Sequence, residues 1–321
     1  MAKQEHIFAV ARVKAMENEL LDKHEIDSLV TAKDLKAAVR ILIEKGFLEN
    51  EGDTTDFVEK QNEKLWSFIG ELTQDKDAFK TLKVKNDFHN AKVAIKSEYI
   101  KEQDESLYEK DSIIPVDELV NAIKNKDFAD LPKFISEYAC QAYELIFKTG
   151  DPQLCDSILD KGLLNAMSEF AKQSGNDVLT DYAKTQSTIA DIKVAIRGAR
   201  SGKDQKFFEN ALSGISEFNA ASLAQVASQG QEALFSFLES SNYAEAVEML
   251  KNDFSLFETW CDNVIIERIQ RQKYVFTTLS PIVAYILARQ NEIKTVNIIL
   301  ASKKNGVEEQ EIRKMVMQTY V

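Results

Sequence analysis

A short phrase recurs through this chain at even intervals, and a repeat of this kind constrains the architecture more than any composition does. Asn90-Ala91-Lys92-Val93-Ala94-Ile95-Lys96 returns as Asp191-Ile192-Lys193-Val194-Ala195-Ile196-Arg197. A fainter copy follows as Glu292-Ile293-Lys294-Thr295-Val296-Asn297-Ile298. Lys92, Lys193 and Lys294 stand 101 residues apart (193 − 92 and 294 − 193). One short identity can recur by chance in a long chain; a third copy at the same interval adds weight. Each copy also puts apolar residues one before and two after its lysine: Ala91 and Ala94, Ile192 and Ala195, Ile293 and Val296. That is the i, i+3 spacing of a buried helix stripe. The repeat predicts three similar helical domains, 1–109, 110–212 and 213–321.

Composition agrees with helical domains. At 321 residues the chain is long for one core, and thirds of this length are ordinary small domains. Only 11 Gly and 4 Pro leave too few turn signals for a sandwich or barrel, which needs one every 8–12 residues or so. The net charge of −12 argues against a nucleic-acid partner and against adhesion to anionic lipid, both of which need clustered Lys and Arg. Three scattered cysteines, Cys140, Cys155 and Cys261, read as small buried hydrophobes in a reducing compartment rather than a disulfide framework. The start, Met1 to His6, lacks the apolar core of a secretory signal. The most apolar run, Val275 to Ala288, contains Thr277, Thr278, Ser280 and Pro281 and is too short for a bilayer span. It is expected to be a core helix.

Helix punctuation can be followed along the chain. Phe8, Ala11, Ala15, Met16 and Leu20 have helical spacing. Thr31, with Asp34 three residues on, is expected to cap a helix with the stripe Leu35, Ala38, Val39, Leu42 and Ile43, ended by Gly46. Phe57, Leu65, Phe68, Ile69 and Leu72 mark another. Pro115 precedes Leu119, Val120 and Ile123, and Leu131 to Phe147 runs to a stop at Gly150. Asp151-Pro152 restarts the chain as N-cap and first helical residue, and Ser174 to Asp177 is a turn. Asn242 is expected as a cap before Ala246, Val247 and Leu250, and Ser280-Pro281 as a cap-plus-proline start. Asn305-Gly306 stops that helix. Val307 to Tyr320 is expected as a final helix with Glu308, Glu309 and Glu311 first and Arg313 and Lys314 later, as the helix dipole prefers. No segment alternates as a strand would; the fold class is all-α.

Catalytic chemistry has little to stand on. His6, His24 and His89 are far apart and unpaired with any ligand spacing. Gly198-Ala199-Arg200-Ser201-Gly202-Lys203-Asp204 glances at a phosphate loop, but its glycines are one residue too close and Asp204 stands where Ser or Thr would hold magnesium. Phe207-Phe208, Trp66 and Trp260 read as packing residues. The 52 acids are mostly solvated helix faces. No catalytic, cofactor-binding or metal-ligating residue is expected. The repeated lysines are expected to be structural, their stems along helix stripes and their ammonium groups paired with nearby acids; the alternative is that they meet a partner.

The run Tyr285-Ile286-Leu287-Ala288-Arg289-Gln290-Asn291-Glu292-Ile293-Lys294-Thr295-Val296-Asn297-Ile298-Ile299-Leu300 resembles the signature helix of the C-type subunits of V/A-type rotary ATPases, counterparts of the eukaryotic V-ATPase d subunit. So do Lys303 to Val307, the ending Thr319-Tyr320-Val321, the opening Phe8 to Ala15, and Asp87-Phe88-His89-Asn90-Ala91-Lys92. Ala288-Arg289-Gln290 departs from the family, which often has a more charged stretch there. The resemblance implies a pseudo-threefold funnel of three helical domains in a hetero-oligomeric complex. Its wide part would receive the central stalk (D/F-type subunits), and its other face would rest on the cytoplasmic side of the membrane proteolipid ring. It implies a rotor part without an active site of its own, coupling ATP turnover to H+ or Na+ movement, with the ion site in other subunits. The competing expectation is a generic all-α scaffold or adaptor; solenoid repeats of about 20–50 residues make a period of 101 a poor fit to one.

Overall fold

The structure, a computed structural model, describes residues 2–73, 77–276 and 278–321, with the side chains of residues 2–6 and of Asp53 left aside. The readings made of Met1, of the His6 side chain and of Thr277 therefore lie outside the described residues. Among those described, every regular element is a helix and none is a strand. The chain is all-α, and none of its described helices is long and apolar enough to cross a membrane. Contacts gather it into two compact units, Met1–Gln74 with Leu238–Val321, and Asp75–Phe237.

The unit that joins the two ends of the chain is organised around the Ser280–Lys304 helix. Ile282, Val283, Ala284, Tyr285, Ile286, Leu287 and Ala288 are consecutive and all buried. A helix apolar on every side must be enclosed on every side, and this one is packed by the Ala2–Met16, Leu35–Glu44, Phe57–Leu72 and Phe254–Gln270 helices. Its later turns continue the core with Ile293, Val296 and Ile299 against Leu29, Leu42, Phe57 and Ile312.

The Asp75–Phe237 unit is built on the Lys80–Ile100, Lys133–Thr149, Pro152–Ser174 and Asp177–Arg200 helices. Its tightest crossing is at Gly162, where a Cβ would come 2.5 Å from Tyr138 and 2.6 Å from Phe88. Only a hydrogen lets three helices meet there. Gly150 and Gly175, both with positive φ, end helices as the sequence suggests, and Asp151 accepts from the Gln153 and Leu154 N–H groups ahead of Pro152.

Several local expectations need correction. Thr31 ends the Lys23–Thr31 helix, its hydroxyl donating to the Asp27 carbonyl; Asp34 caps the Leu35–Glu44 helix by accepting from Ala37 N–H at 2.8 Å. The earlier helix has its own capping box, Asp22 with Glu25. Asn242 caps nothing: the Ala244–Asn252 helix starts at Tyr243, without a side-chain cap. Ser280 is already inside its helix, where Thr278 Oγ1 accepts its N–H, and Val275, Phe276, Thr278 and Leu279 stand outside that helix. In the first helix Phe8, Ala11 and Ala15 are exposed; the buried side is Ala9, Val10 and Val13.

The last correction is the largest. The final helix is only Glu309–Met315, and Val316 leaves it with φ −82° and ψ 125°. The acids-first, bases-later order holds within it. Beyond Met315 the backbone takes its hydrogen bonds from side chains of other helices, an alternative that competes with helix continuation.

Candidate functional site

The three copies of the phrase all fall within long helices, Lys80–Ile100, Asp177–Arg200 and Ser280–Lys304. Their predicted stripe is buried: Ala91, Ala94, Ile192, Ala195, Ile293 and Val296 are each at most 4% exposed. The residue two before each lysine is polar and also buried: Asn90, Asp191 and Glu292. A buried polar group demands a partner, and in all three copies the partner is the backbone of an irregular segment that leads into a helix.

Asn90 pairs with Glu109 in both directions: Oδ1 accepts the Glu109 N–H and Nδ2 donates to its carbonyl, each at 2.8 Å. One turn earlier Asp87 accepts from the N–H groups of Ile113 at 3.1 Å and Ile114 at 2.7 Å. This stretch feeds the Val116–Asn125 helix. In the second copy Asp191 accepts from Ser213 N–H at 2.7 Å and from the Ser213 hydroxyl at 2.9 Å. One turn earlier the Thr188 hydroxyl oxygen accepts from Glu217 N–H at 2.9 Å. The segment feeds the Ala220–Ser228 helix. In the third, Glu292 accepts from Leu21 N–H, just ahead of the Lys23–Thr31 helix. The position one turn earlier is Arg289, which donates to the other Glu292 oxygen at 2.5 Å and to Gln61 Oε1 at 3.0 Å. Its guanidinium lies 4.2 Å from the centre of the Phe47 ring. The departure at Arg289 therefore supplies the counter-ion of a buried carboxylate.

Burial sets the electrostatics. Desolvation pushes the Asp87 carboxyl up to about 6 against the pull of the Ile114 and Ile113 amides, and raises Asp191 against its Ser213 bonds. Desolvation pushes Glu292 up to about 7 despite Arg289. Perturbed acids are candidate catalytic groups. Here their oxygens already accept from backbone N–H groups, from the Ser213 hydroxyl and from Arg289. The cavity beside Glu292, bordered by Leu21, Thr295 and Tyr320, is about 10 Å³, room for one water at most. The arrangement holds chain segments in place.

The lysines lie on the other side of the same turns. Lys92 Nζ is 2.5 Å from Asp160, Lys96 is 2.7 Å from Asp156, and Lys294 is 2.7 Å from Asp262. Lys92 and Lys294 thus carry the acid pairing expected of them, and Lys193 is half-buried. His89 Nε2 lies 2.9 Å from the Leu107 carbonyl and His24 is exposed. Among the described residues no three His, Cys, Asp or Glu side chains gather as a metal site would require. The first glycine of the apparent phosphate loop, Gly198, is a seat for an aromatic ring: a Cβ there would lie 2.3 Å from Phe208. Phe208 and Trp260 are buried as packing residues, while Phe207 is partly exposed. Cys155 and Cys261 are buried and Cys140 is partly so; all three are free thiols.

Asn90, Asp191 and Glu292 were not among the residues that the sequence singled out. They begin the very phrase that reveals the repeat, and a polar residue kept next to a buried stripe in three copies was the available signal.

Comparison with known proteins gives a consistent set of likenesses. The family of ATP synthase (C/AC39) subunits matches residues 9–315 of the chain. The C-type subunit of the V-type sodium ATPase of Enterococcus hirae is 21% identical over 325 residues, covering 96% of this chain and 97% of that protein. The C-type subunit of the A-type ATP synthase of Methanocaldococcus jannaschii is 21% identical over 353 residues, covering 97% of this chain and 86% of that protein. The corresponding protein of Haloferax volcanii is 27% identical over a shorter stretch of 135 residues, 40% of this chain and 38% of its own.

Proposed function

Because the chain belongs to the ATP synthase (C/AC39) subunit family, we propose that it is a non-catalytic rotor subunit of a V/A-type rotary ATPase or ATP synthase. In this reading it links the central stalk, of D/F-type subunits, to the membrane proteolipid ring. It sits peripherally on the cytoplasmic face and transmits torque between ATP turnover and H+ or Na+ movement. The observation that carries it is the family match across 9–315, joined by relatives of the same subunit type over nearly their whole length. The net charge of −12 fits docking on membrane-protein loops that the positive-inside rule makes basic.

The same proposal covers the three thirds, 1–109, 110–212 and 213–321, and a pseudo-threefold funnel. What supports it is the order of the backbone clasps. The first phrase helix holds the segment before Val116–Asn125, the second that before Ala220–Ser228, and the third that before Lys23–Thr31. First to second, second to third and third back to first is the order a closed ring of three repeats requires.

Native extraction of the membrane complex with this chain tagged tests the assignment. Central-stalk and proteolipid subunits are expected to co-purify with it in constant ratio. A stable, intact particle lacking both would overturn it.

A further inference from the structure

Within the Asp75–Phe237 unit, the Lys80–Ile100, Lys133–Thr149 and Pro152–Ser174 helices bring one end of each together. Lys92 meets Asp160 and Lys96 meets Asp156, so the first and last of these run antiparallel, and the same register brings Ile100 level with Pro152. The middle helix stops beside them: a Cβ on Gly150 would lie 3.2 Å from the Tyr99 hydroxyl. At this end Tyr99, Ile100, Phe147 and Leu154 are between 39% and 59% exposed. Tyr99 stands edge-on to Phe147 at 5.4 Å between ring centres, and Phe147 stacks on the buried Tyr143 at 4.4 Å. Single exposed apolar residues are ordinary on a protein surface, whereas four gathered on the ends of packed helices mark a contact site.

The repeated phrase does not require them. Seven and eight residues after its lysine stand Tyr99 and Ile100 in the first copy, Arg200 and Ser201 in the second, and Ala301 and Ser302 in the third. Polar or small residues serve a phrase helix equally well at these positions. The apolar platform is an addition peculiar to one copy.

Charge indicates what covers it. The stretches that form this end, 96–105 and 144–156, hold seven acids and three bases, a net charge of −4 (3 − 7). Two of the bases are already paired, Lys96 with Asp156 and Lys101 with Glu98, while Glu102, Asp104, Glu105 and Glu144 are exposed. Two of the three helices end here at their C-termini, which adds partial negative charge. Such a rim repels an anionic lipid surface, and a second copy docked on the same patch would set two acidic rims against each other. Aromatic rings bordered by carboxylates suit an arginine or lysine flanked by apolar side chains. The chain itself uses this stack in that way: Lys126 Nζ lies 5.6 Å from the centre of the Tyr143 ring.

We propose that this platform docks a basic segment of a partner protein, which sets an arginine or lysine against Tyr99 and Phe147 and an apolar side chain against Ile100 and Leu154. The platform stands apart from the rotor assignment, which the co-purification above tests separately.

Photo-cross-linking tests it in the full chain, with p-benzoyl-phenylalanine placed at Phe147 or at Ile100 and irradiation in the cells that make the protein. Both positions are expected to attach to one stretch of another protein, with an Arg or Lys within a helical turn of the attachment. Glu102→Lys combined with Glu105→Lys, both on the exposed rim, should cut the yield about fivefold or more. Attachment to lipid, to a second copy of this chain or to a stretch without a basic residue overturns the proposal. So does a yield that the reversed charges leave unchanged, or no cross-link from a labelled chain with the wild-type helical circular dichroism. Should neither labelled chain keep its helices, hydroxyl-radical footprinting of the unmodified chain decides. Oxidation of Tyr99 and Phe147 should then fall about fivefold or more between the isolated chain and the chain in its native extract; equal oxidation in both refutes docking here.

Discussion

The clasps of the Asp75–Phe237 unit and the clasp of the unit made from the two chain ends do the same work over different spans. Asp87 reaches Ile114 across 27 residues and Asp191 reaches Ser213 across 22, whereas Glu292 reaches Leu21 across 271. The short-range clasps use the short side chains Asp and Asn with amide and hydroxyl partners. The long-range one uses the longer Glu and needs the Arg289 guanidinium, supported by Gln61 and Phe47. The difference teaches what chain separation costs. A linker that follows its helix is presented to the helix by connectivity. A segment from the far end must be captured, and the buried charge that captures it has to be neutralised where it sits.

The largest effect expected is at the short-range clasp. Asp87→Ala leaves the Ile113 and Ile114 amides without their partner, a loss of about 3 kcal/mol at roughly 1–3 kcal/mol per stranded buried group. Urea unfolding should report it, and a change under about 1 kcal/mol would mean that the linker simply turns its amides to water.

The long-range clasp should differ in its pH response. The folded-state pKa of Glu292 is raised from 4.5 to about 7, so between those values the folded chain binds more protons than the unfolded chain. Stability from this group is therefore lost as pH rises from about 4.5 to about 7. Glu292→Gln lacks the titration and should gain on the wild type across that window, reaching about 3 kcal/mol by pH 7 at about 1.4 kcal/mol per pKa unit. A stability difference independent of pH would show that Arg289 holds the carboxylate ionised throughout.

Smaller changes separate the second copy from the lysines. Thr188→Val keeps the side-chain shape and removes one acceptor for Glu217 N–H, a loss of about 1 kcal/mol, measurable as a shift in urea midpoint. Lys92→Gln and Lys294→Gln break ion pairs that remain in contact with water and should each cost under about 0.5 kcal/mol. A larger loss at Lys92, whose side chain is the less exposed of the two, would assign that ion pair a structural share that Lys294 lacks.

Helices were readable where the chain punctuates itself twice. Asp151-Pro152 at a start and Gly46, Gly150 and Gly175 at ends are all where the sequence puts them, because a capping oxygen and a positive φ are local requirements. Faces were harder. The first helix has apolar residues on two sides, and only its packing partners decide that Val13 is buried and Phe8 is not. Thr31 and Asp34 are both able caps, and the earlier helix with its Asp22 box claims Thr31 before it can serve. Beyond Met315 the helical spacing of Met317 and Tyr320 fits a strap equally well, and the choice rests with Asn263, Gln270 and Asn291, far away in sequence. The buried polar positions were visible as letters but not as roles. Asn, Asp and Glu beside an apolar stripe look like a solvated edge until the segment they hold is in place.

Apart from the Ser213 hydroxyl, the clasps read backbone groups, which every residue presents alike save for the N–H that proline lacks. The instruction to attach a linker is therefore written mainly in the helix, and apart from the hydroxyl of Ser213 the linker needs only to keep proline from the positions whose N–H is clasped. That is the pattern of this protein: three helices still spell a common motif, while Glu109 to Ile114, Ser213 to Glu217 and Leu21 share no common wording.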